Sequence, residues 1–588
     1  MARLLPRRDV VVVGLGWSGS IIANELTEEG LDVVALERGP WRDTAADFNI
    51  GVAPDELRFA RRRELMVSPA QVTVTTRNNA SQTALPMREW GSFHPGNGVG
   101  GAGIHWAGIT YRFHPTDFRL RSHLTERYGA AAIPEELSVQ DWGTDWEEME
   151  PFYDRFDYLA GISGKAGNIQ GRIEEGGNPF EGPRARDYPL PPMRQPYGPT
   201  LFAEAARGLG YHVFPAPSAL LSQGYVNTLG VAMGPCTYCG FCTNYGCANY
   251  SKASAQTAVL PVLMRKPNFE LRTLCEVLRL RLDPSRRQVR SVIYLDSDGE
   301  EWEQPADLVV VTAFTLDNVR LMLLSGVGET YDPRTRRGTI GRNFSYQMGN
   351  GAQCYFEDKV FNTFIGGGAI GMAIDDLNND NFDHGGLGFF GGGSVRCIPV
   401  GATPIAQRPV PPGTPRWGSA WKRATVKYYQ ANLNVSAESS SYSSPANHLD
   451  LDPTYTDRLG RPLLRITFDF PENDRRMSRY VTVRAAEIGR AMGASQVVET
   501  VRDGHWSSVP YQSTHVVGGM IMGADPTTSA VNKYLQSWDV PNLFVVGASA
   551  FPQNSGYNPT GTVGALAFKA ADAIRTRYLA APGPLVPA

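Results

Sequence analysis

Four of the chain's seven cysteines lie in one short segment, GPCTYCGFCTNYGC, at residues 234–247. Cys236, Cys239, Cys242 and Cys247 are separated by two, two and four residues. Thiolates at such short spacing are how proteins hold iron–sulfur clusters. Two other interpretations are a structural zinc ion held by four thiolates, and disulfides or simple buried thiols. The segment therefore predicts metal or cluster chemistry, with a structural role as the alternative.

The compactness of this cysteine segment separates the two metal interpretations. Structural zinc sites commonly use two ligand pairs joined by a long loop. Here the last spacing is four residues rather than three, and no proline follows Cys247, but the run otherwise resembles cluster-binding sequences. The spacing thus favours an iron–sulfur cluster. The remaining cysteines are scattered, and we expect them to be small buried side chains: Cys275, Cys354 and Cys397.

A second group of residues suited to chemistry stands near the N-terminus, in a GxGxxG pattern at Gly14, Gly16 and Gly19. The β-branched run at residues 10–13 predicts a buried strand, followed by a helix and by a second strand that ends at Glu37. In this context Gly14 permits the tight turn, Gly16 lets the backbone approach a pyrophosphate, and Gly19 lets helix and strand pack closely. Glu37 stands where an acid binds ribose hydroxyls. The pattern predicts a dinucleotide site, and by itself it does not separate FAD from NAD.

Two further segments are built to approach a cofactor. Residues 91–108 are dense in glycine but include Val99, Ile104 and Trp106, which argues against a mobile surface loop. Near the C-terminus, residues 542–546 predict a strand that Gly547 and Ala548 follow directly, and the run Asn558-Pro-Thr-Gly precedes a helix predicted over 563–574. A strand, a tight loop and a helix N-terminus again make a place for a cofactor.

These motifs together resemble the glucose–methanol–choline oxidoreductase family. The resemblance runs from GLGWSG through GNGVGGAG to GYNPTGT and covers nearly the whole chain. Within the family it is greatest to the flavoprotein subunits of bacterial gluconate 2-dehydrogenases, through DWGTDWEEMEPFYDRF, CTYCGFC and QSWDVPNLFVVGASAFPQNSGYNPTGT. The resemblance implies an α/β FAD-binding Rossmann-like domain, discontinuous in sequence, with a substrate-binding domain built on a mainly antiparallel sheet.

The resemblance also implies where FAD would bind. It places the ADP part at Gly14, Gly16, Gly19 and Glu37, with Val277 near the adenosine. It places the flavin against two segments, together with the Gly547–Ala548 turn. The residues of these segments are Gly98, Gly100, Gly101, Ile104, Asn558, Pro559 and Thr560. Some related enzymes attach the flavin to a histidine that corresponds to His105, and the resemblance leaves open whether FAD here is covalent or free.

The catalytic pair that the resemblance implies is His515 and Asn558. Oxidation of an alcohol by a flavin removes a hydride, which goes to flavin N5, and a hydroxyl proton, which needs an acceptor. A neutral imidazole is suited to that task near neutral pH, so His515 is the expected base. Asn558 can donate to and accept from the same hydroxyl and hold it over the flavin.

The predicted organisation follows these motifs. We assign residues 1–110, 235–345 and 505–578 to the FAD-binding domain, which includes the cysteine segment. We assign residues 111–234 and 346–504 to the substrate-binding domain, and residues 579–588 to a tail. The long chain supports two such domains.

The predicted function is FAD-dependent oxidation of a sugar acid or sugar, with D-gluconate at C2 as the leading substrate. Glucose, glucosides at C3 and sorbitol are alternatives within the family. The cluster, [3Fe–4S] or [4Fe–4S], would pass electrons to a cytochrome c or a quinone, with a small subunit as partner. A different class is an oxygen-using oxidase with structural zinc. A non-catalytic subunit is disfavoured because His515 and Asn558 are both present, and the sequence offers no unique partner for a substrate carboxylate.

Charge and hydropathy argue against two other classes of protein, those that bind nucleic acids and those that span a membrane. The net charge is −3 with no basic stripe, which argues against nucleic-acid binding. No apolar run is long enough to span a membrane, and no export signal follows the N-terminal arginines. We nevertheless expect the bacterial periplasm, or the periplasmic face of the inner membrane through a partner subunit. The cytoplasm is the alternative.

Overall fold

The computed structural model describes residues 2–48, 63–362, 365–399, 409–509, 511 and 513–587. Its regular elements form two large sheets and several small ones, flanked by helices. The helices of eight or more residues are Trp17–Glu28, Leu120–Tyr128, Trp146–Ala160, Tyr197–Gly208, Thr315–Ser325, Gly418–Tyr428, Glu472–Ala491 and Thr560–Ala573. Within the described residues, no helix is both long enough and apolar enough to cross a bilayer.

The first large sheet is the predicted Rossmann-like sheet. Its parallel strands are short and mostly apolar, since both faces are covered. In spatial order they are Phe269–Arg272, Val33–Leu36, Arg8–Val13, Glu301–Val311 and Leu543–Val545. The first half of Glu301–Val311 also pairs with Arg3–Leu4 and leads into an antiparallel extension, Val289–Leu295 and Glu276–Leu282.

The Rossmann-like sheet forms around the predicted βαβ unit. Val10 to Val13 are fully or almost fully buried, and helix Trp17–Glu28 begins directly after the glycine turn. That helix packs against strands Arg8–Val13 and Val33–Leu36 on one side and against helix Thr560–Ala573 on another. The central strand Glu301–Val311 ends where the chain turns at Thr312 to enter helix Thr315–Ser325.

The second large sheet has six strands, and all its pairs are antiparallel, as predicted. Helices Glu472–Ala491 and Tyr197–Gly208 cover it and share its apolar core. In spatial order its strands are Gln496–Thr500, Met348–Tyr355, Asn432–Ser439, Gly393–Cys397, Met372–Ile374 and Val213–Pro215.

Two smaller sheets connect distant parts of the chain. Thr75–Arg77 and Leu85–Pro86 join His448–Thr456 and Pro462–Thr467 in a four-stranded sheet. Ser345–Tyr346 pairs antiparallel with Val516–Val517. The second pairing places the start of the six-stranded sheet beside the segment that carries His515.

Candidate active site

A cavity of about 520 Å³ lies where the two large sheets meet. One end is lined by residues that follow the parallel strands, including Gly14 and Glu37. The other end is lined by His515, Asn558 and residues of the antiparallel sheet. The cavity thus connects the predicted nucleotide motif to the predicted catalytic pair. Other predicted site residues along its wall are Gly16, Gly101, His105, Val277, Gly547, Ala548, Pro559 and Thr560.

The nucleotide end of the cavity is shaped by the glycine turn. Gly14 adopts a φ of 89°, and an added Cβ there would come within 3.0 Å of Ala313. Glu37 is buried, and its carboxylate accepts hydrogen bonds from Leu15 N (3.0 Å) and Gly39 N (2.8 Å). Burial raises the pKa of Glu37, and the two backbone N–H groups counteract part of that rise. The carboxylate therefore braces the turn as well as lining the cavity.

Four predicted cofactor residues do not line the cavity but pack behind its wall. A Cβ on Gly19 would lie 2.1 Å from Gly14 O, which is the close helix–strand contact predicted from the sequence. Gly98 lies against Arg42, and Gly100 against Gln256. Ile104 is buried in a small apolar cluster with Phe48 and Leu65. These four residues pack behind the residues that line the cavity and hold them in position.

Among the described residues, five helical N-termini open into this cavity without a side-chain cap. They belong to helices Trp17–Glu28, Thr315–Ser325 and Thr560–Ala573 and to the 3₁₀ turns Gly101–Ile104 and Ala548–Ala550, and each has no side-chain hydrogen bond at its N-cap. The first residue of each lines the cavity. Backbone N–H groups that lack a partner attract negatively charged ligands. The cavity is therefore suited to an anionic group such as a pyrophosphate.

His515 and Asn558 form a hydrogen-bonded pair at the opposite end. Asn558 Nδ2 lies 3.2 Å from His515 Nε2. His515 directly precedes Val516–Val517, and its backbone O accepts from Asn554 Nδ2 at 3.1 Å. Asn558 lies just before helix Thr560–Ala573. The structure thus brings together the two residues that the sequence predicts to act as a pair.

Three further residues belong to this end and were not predicted from the sequence. Gln347 is fully buried and its Oε1 contacts His515 Nδ1. Arg396 Nη1 donates to Asn558 Oδ1 at 2.6 Å, and Arg396 Nη2 donates to Glu438 Oε1 at 2.9 Å. Glu438 Oε2 is 3.7 Å from His515 Nδ1. The signal available in the sequence was Arg396 itself, a charged residue within the otherwise uncharged strand Gly393–Cys397.

Two oppositely charged side chains lie in the cavity wall at this end. Arg396 and Glu438 neutralise one another, and both lie on neighbouring strands of the antiparallel sheet. Burial alone would raise the pKa of Glu438, but His515 and Arg396 outweigh it and hold that pKa below its usual value. Glu438 is therefore ionised at neutral pH and can stabilise positive charge that forms on His515.

His105 lies in the middle of the cavity wall as a neutral imidazole. Its side chain is buried, and Nε2 has no hydrogen-bond partner. Burial, aided by Lys252 and His94, lowers the pKa of His105 to about 3. A neutral ring nitrogen without a partner is free to interact with a ligand in the cavity.

Lys252 links the cavity wall to the cysteine segment. Its buried ammonium donates to three backbone carbonyls, those of Trp106 (2.7 Å), Cys242 (3.0 Å) and Tyr245 (2.7 Å). The backbone N–H of Asn244 donates to His105 O at 2.8 Å, and Asn244 also lines the cavity. The segment at 234–247 therefore adjoins the cavity through its backbone.

The cysteine side chains do not fit the predicted cluster. All four are free thiols, and Cys239 is exposed whereas Cys242 is buried beside Gly367. Within the part of the chain that the structure describes, no group of three or more His, Cys, Asp and Glu side chains is arranged to hold a metal ion. The structure thus supports neither the iron–sulfur set at Cys236, Cys239, Cys242 and Cys247 nor the zinc alternative. The physical reason is that the thiols are placed in different environments, with Cys239 exposed and Cys242 packed into the interior against Gly367.

The thiols of this segment differ in the direction of their pKa shifts. Burial raises the pKa of Cys236 to about 11 and that of Cys242 to about 12. For Cys247, burial is outweighed by Ser251 and Lys252, and the pKa is lowered. In the metal-free chain, Cys236 and Cys242 are therefore protonated thiols at neutral pH. The scattered cysteines Cys275, Cys354 and Cys397 are buried, as predicted.

Comparison with known families and proteins gives a consistent result. Family models described as GMC oxidoreductase match residues 218–349 and 443–567. The chain is 48% identical to the "Gluconate 2-dehydrogenase flavoprotein" of Pantoea cypripedii, over 100% of this chain and 97% of that protein. It is 24% identical to the "Fructose dehydrogenase large subunit" of Gluconobacter japonicus, over 96% of this chain and 97% of that protein.

Two other similarities reach across the whole chain. The "2-methyl-1,2-propanediol dehydrogenase" of Mycolicibacterium austroafricanum is 26% identical over 97% of this chain and 95% of that protein. Among solved structures, pyridoxine 4-oxidase from Mesorbium loti superposes with a TM-score of 0.61 at 18% identity, over 97% of this chain and 99% of that one. The structural similarity supports the fold described above.

Proposed function

The chain belongs to the GMC oxidoreductase family, and from this premise we propose that it is an FAD-dependent dehydrogenase of a sugar acid, with D-gluconate oxidised at C2. The activity class, oxidation of a CH–OH group, follows from the family. The observation that carries the substrate proposal is the full-length 48% identity to a gluconate 2-dehydrogenase flavoprotein.

The shape and lining of the cavity fit FAD. Uncapped helix N-termini, at Trp17 and at Thr560, offer N–H groups for phosphate oxygens. Glycines at positions 14, 16 and 101 keep side chains out of the cavity. Glu37 would accept from ribose hydroxyls with the lone pairs that its two backbone bonds leave free. When bound, FAD supplies the acceptor for the hydride that leaves the substrate carbon.

His515 and Asn558 would handle the substrate hydroxyl. His515 Nε2 accepts the hydroxyl proton, and the amide of Asn558 holds the hydroxyl oxygen through its second N–H. Glu438 stabilises the resulting imidazolium from 3.7 Å. The hydroxyl proton and the hydride together account for the two hydrogens lost when CH–OH becomes a carbonyl.

His105 is the residue at which FAD would be covalently attached if the enzyme carries a tether. Its unpartnered Nε2 and neutral ring support this role. Precipitation of the purified enzyme in acid tests it. A yellow pellet that becomes colourless in His105→Ala supports the attachment, whereas a colourless pellet beneath a yellow supernatant contradicts it.

The substrate proposal is tested by dye reduction with a panel of sugar acids, sugars and polyols. We expect D-gluconate to give the highest kcat/KM, with 2-keto-D-gluconate as the product by mass spectrometry. Faster turnover of glucose, a glucoside at C3 or sorbitol would contradict the substrate proposal while leaving the family assignment intact. Rapid oxygen consumption with hydrogen peroxide release would instead identify an oxidase.

The electron acceptor and the location of the enzyme are part of the same proposal. The name "large subunit" of the Gluconobacter japonicus relative supports a small subunit, with cytochrome c or a quinone as the final acceptor. We place the assembly in the bacterial periplasm, or on the periplasmic face of the inner membrane through a partner subunit. Because the cysteine thiols do not fit a cluster, no electron-transfer step is assigned to them. Cell fractionation tests the location, and activity confined to the cytoplasm would contradict it.

A further inference from the structure

The hydrogen-bond network around His515 begins at a side chain whose orientation is determined by its surroundings. Gln347 Nε2 donates to two backbone carbonyls, Ser555 O at 2.7 Å and Tyr557 O at 2.9 Å. Carbonyls only accept, so this atom must be the amide nitrogen. Oε1 of Gln347 is then the atom that faces His515 Nδ1. Because Oε1 only accepts, Nδ1 of His515 must carry a hydrogen.

The network ends at a second side chain whose role is equally determined. The Arg396 guanidinium only donates, and its Nη1 lies 2.6 Å from Asn558 Oδ1. The amide oxygen of Asn558 is therefore turned to Arg396, and its Nδ2 hydrogens face His515 Nε2 at 3.2 Å. A ring nitrogen that receives an N–H must present its lone pair.

The two ends are independent and require the same arrangement of protons. At one end, two backbone carbonyls orient Gln347, which requires a hydrogen on Nδ1 of His515. At the other end, the Arg396 guanidinium orients Asn558, which requires a lone pair on Nε2. Glu438, near Nδ1 at 3.7 Å, is a further acceptor on the same side of the ring. The tautomer with a hydrogen on Nδ1 and a lone pair on Nε2 satisfies every one of these contacts, and the opposite tautomer would oppose donor to donor and acceptor to acceptor.

We propose that Gln347 and Arg396 are positioning residues that hold His515 in the single tautomer able to accept a proton at Nε2. Neither residue needs to touch the substrate for this role. Gln347 comes from the start of the antiparallel sheet, and its backbone N–H donates to His515 O at 3.1 Å, so the two residues are aligned by the backbone as well. Arg396 acts through Asn558, and Glu438 balances its charge.

The contacts of Arg396 suit it to orienting the amide of Asn558. Its side chain is 3% exposed, with one Nη bonded to Asn558 and the other to Glu438. A buried guanidinium held between an amide and a carboxylate is well suited to orienting the amide. By orienting the Asn558 amide, Arg396 therefore helps to determine which nitrogen of His515 carries the hydrogen.

The tautomer can be measured without any bound cofactor. In protein labelled with ¹⁵N-histidine, protonated and unprotonated nitrogens of a neutral imidazole have distinct chemical shifts, and His515→Gln assigns the signal among the nine histidines. At pH 8, we expect wild-type His515 to show hydrogen on Nδ1 and a lone pair on Nε2. Hydrogen on Nε2 in the wild type would overturn the proposal, and the tautomer itself is read from the wild-type protein, with His515→Gln used only to assign the signal.

Variants then test the two positioning residues separately. Gln347→Met and Arg396→Met should each give a mixture of tautomers at His515. Gln536 provides a matched control, because its Nε2 also donates to two backbone carbonyls (2.7 and 2.8 Å) and it is buried away from the cavity. Gln536→Met should leave the His515 signal unchanged. An unchanged signal in both Gln347→Met and Arg396→Met would refute the assignment.

A kinetic measurement extends the test, and it rests on the proposed function. For Gln347→Met we expect substrate to reduce the bound flavin about tenfold more slowly, the loss expected for one buried hydrogen bond, with KM little changed. A change in KM alone would overturn the positioning role. If D-gluconate fails to reduce the wild-type flavin, the substrate proposal fails, while the tautomer measurement stands unaffected.

Discussion

The cavity wall and the cysteine segment are equally rich in residues that do chemistry, but only the wall is held by regular structure. His515 stands next to a strand pairing, and Asn558 stands at the start of a helix. Residues 234–247 contain no helix or strand, and the segment is fixed through backbone contacts such as those of Lys252. The cavity wall brings His515 and Asn558 into contact, whereas the segment does not bring its four thiols together.

Sequence spacing predicts the relative positions of side chains better in some motifs than in others. A motif set between a strand and a helix inherits directions from both elements, so spacing in sequence becomes distance in space. A motif in a loop has spacing alone. Substitutions in the cavity wall should therefore reduce activity or stability far more than substitutions in the cysteine segment.

The largest effect is expected for His515→Ala. Loss of a general base costs about 10²–10⁴-fold in rate, and we expect a decrease of that size in flavin reduction by substrate, with bound flavin retained. Stopped-flow absorbance measures it. His505→Ala is the control, since that histidine is exposed and bonded to Asp469. Near-wild-type reduction in His515→Ala would remove the basis for treating the wall as the reactive region.

The next effect concerns the contact between helix and strand at the nucleotide end. An added Cβ at Gly19 would lie 2.1 Å from Gly14 O and 2.8 Å from Thr312 Oγ1. Gly19→Ala should therefore destabilise the fold by about 2–3 kcal/mol, typical of an overpacked core, and reduce flavin content. Thermal unfolding and absorbance at 450 nm measure both. Gly224→Ala is the control, because no atom lies within 4 Å of its added Cβ. Equal effects of the two variants would contradict the role of Gly19.

The same contrast explains which features of the molecule could be predicted from the sequence. The Rossmann-like unit could be predicted because a buried β-branched strand, the glycines and Glu37 each have one common structural meaning in that order. Gln347, Arg396 and Glu438 could not, because their positions depend on strand pairing in a sheet formed from distant segments. The spacing of the cysteines in residues 234–247 likewise does not determine where their thiols lie, because burial of Cys242 and exposure of Cys239 are decided by tertiary packing.

A smaller effect is expected from pH, through a carboxyl that supports the segment carrying Asn558. Asp117 is buried and accepts from Ser555 Oγ at 2.8 Å, and burial raises its pKa from 3.8 to about 7. Between these values the folded state holds a proton that the unfolded state has released. Stability from this group is therefore complete below about pH 4 and is lost as the pH rises towards 7, with a slope of at most about 1.4 kcal/mol per pH unit.

Asp117→Asn isolates that contribution, because an amide reproduces the protonated carboxyl without titrating. We expect the wild type to lose stability relative to the variant between pH 5 and pH 7, measured by chemical unfolding at each pH. Parallel stability curves for the two proteins would contradict a raised pKa at Asp117.

The smallest effect on stability and activity is expected for Cys239→Ser in the cysteine segment. The Cys239 side chain is exposed, and surface substitutions usually change stability by less than about 0.5 kcal/mol. In the native wild type, a thiol reagent at pH 8 should label Cys239 first, whereas Cys236 and Cys242 should resist because burial raises the pKa of each, to about 11 and about 12 respectively. Peptide mapping identifies the labelled cysteine, and Cys239→Ser should remove the fast phase. Protection of all four thiols, with iron and sulfide in the purified chain, would show instead that a bound cluster orders the segment and that the contrast with the cavity wall holds only for the chain by itself.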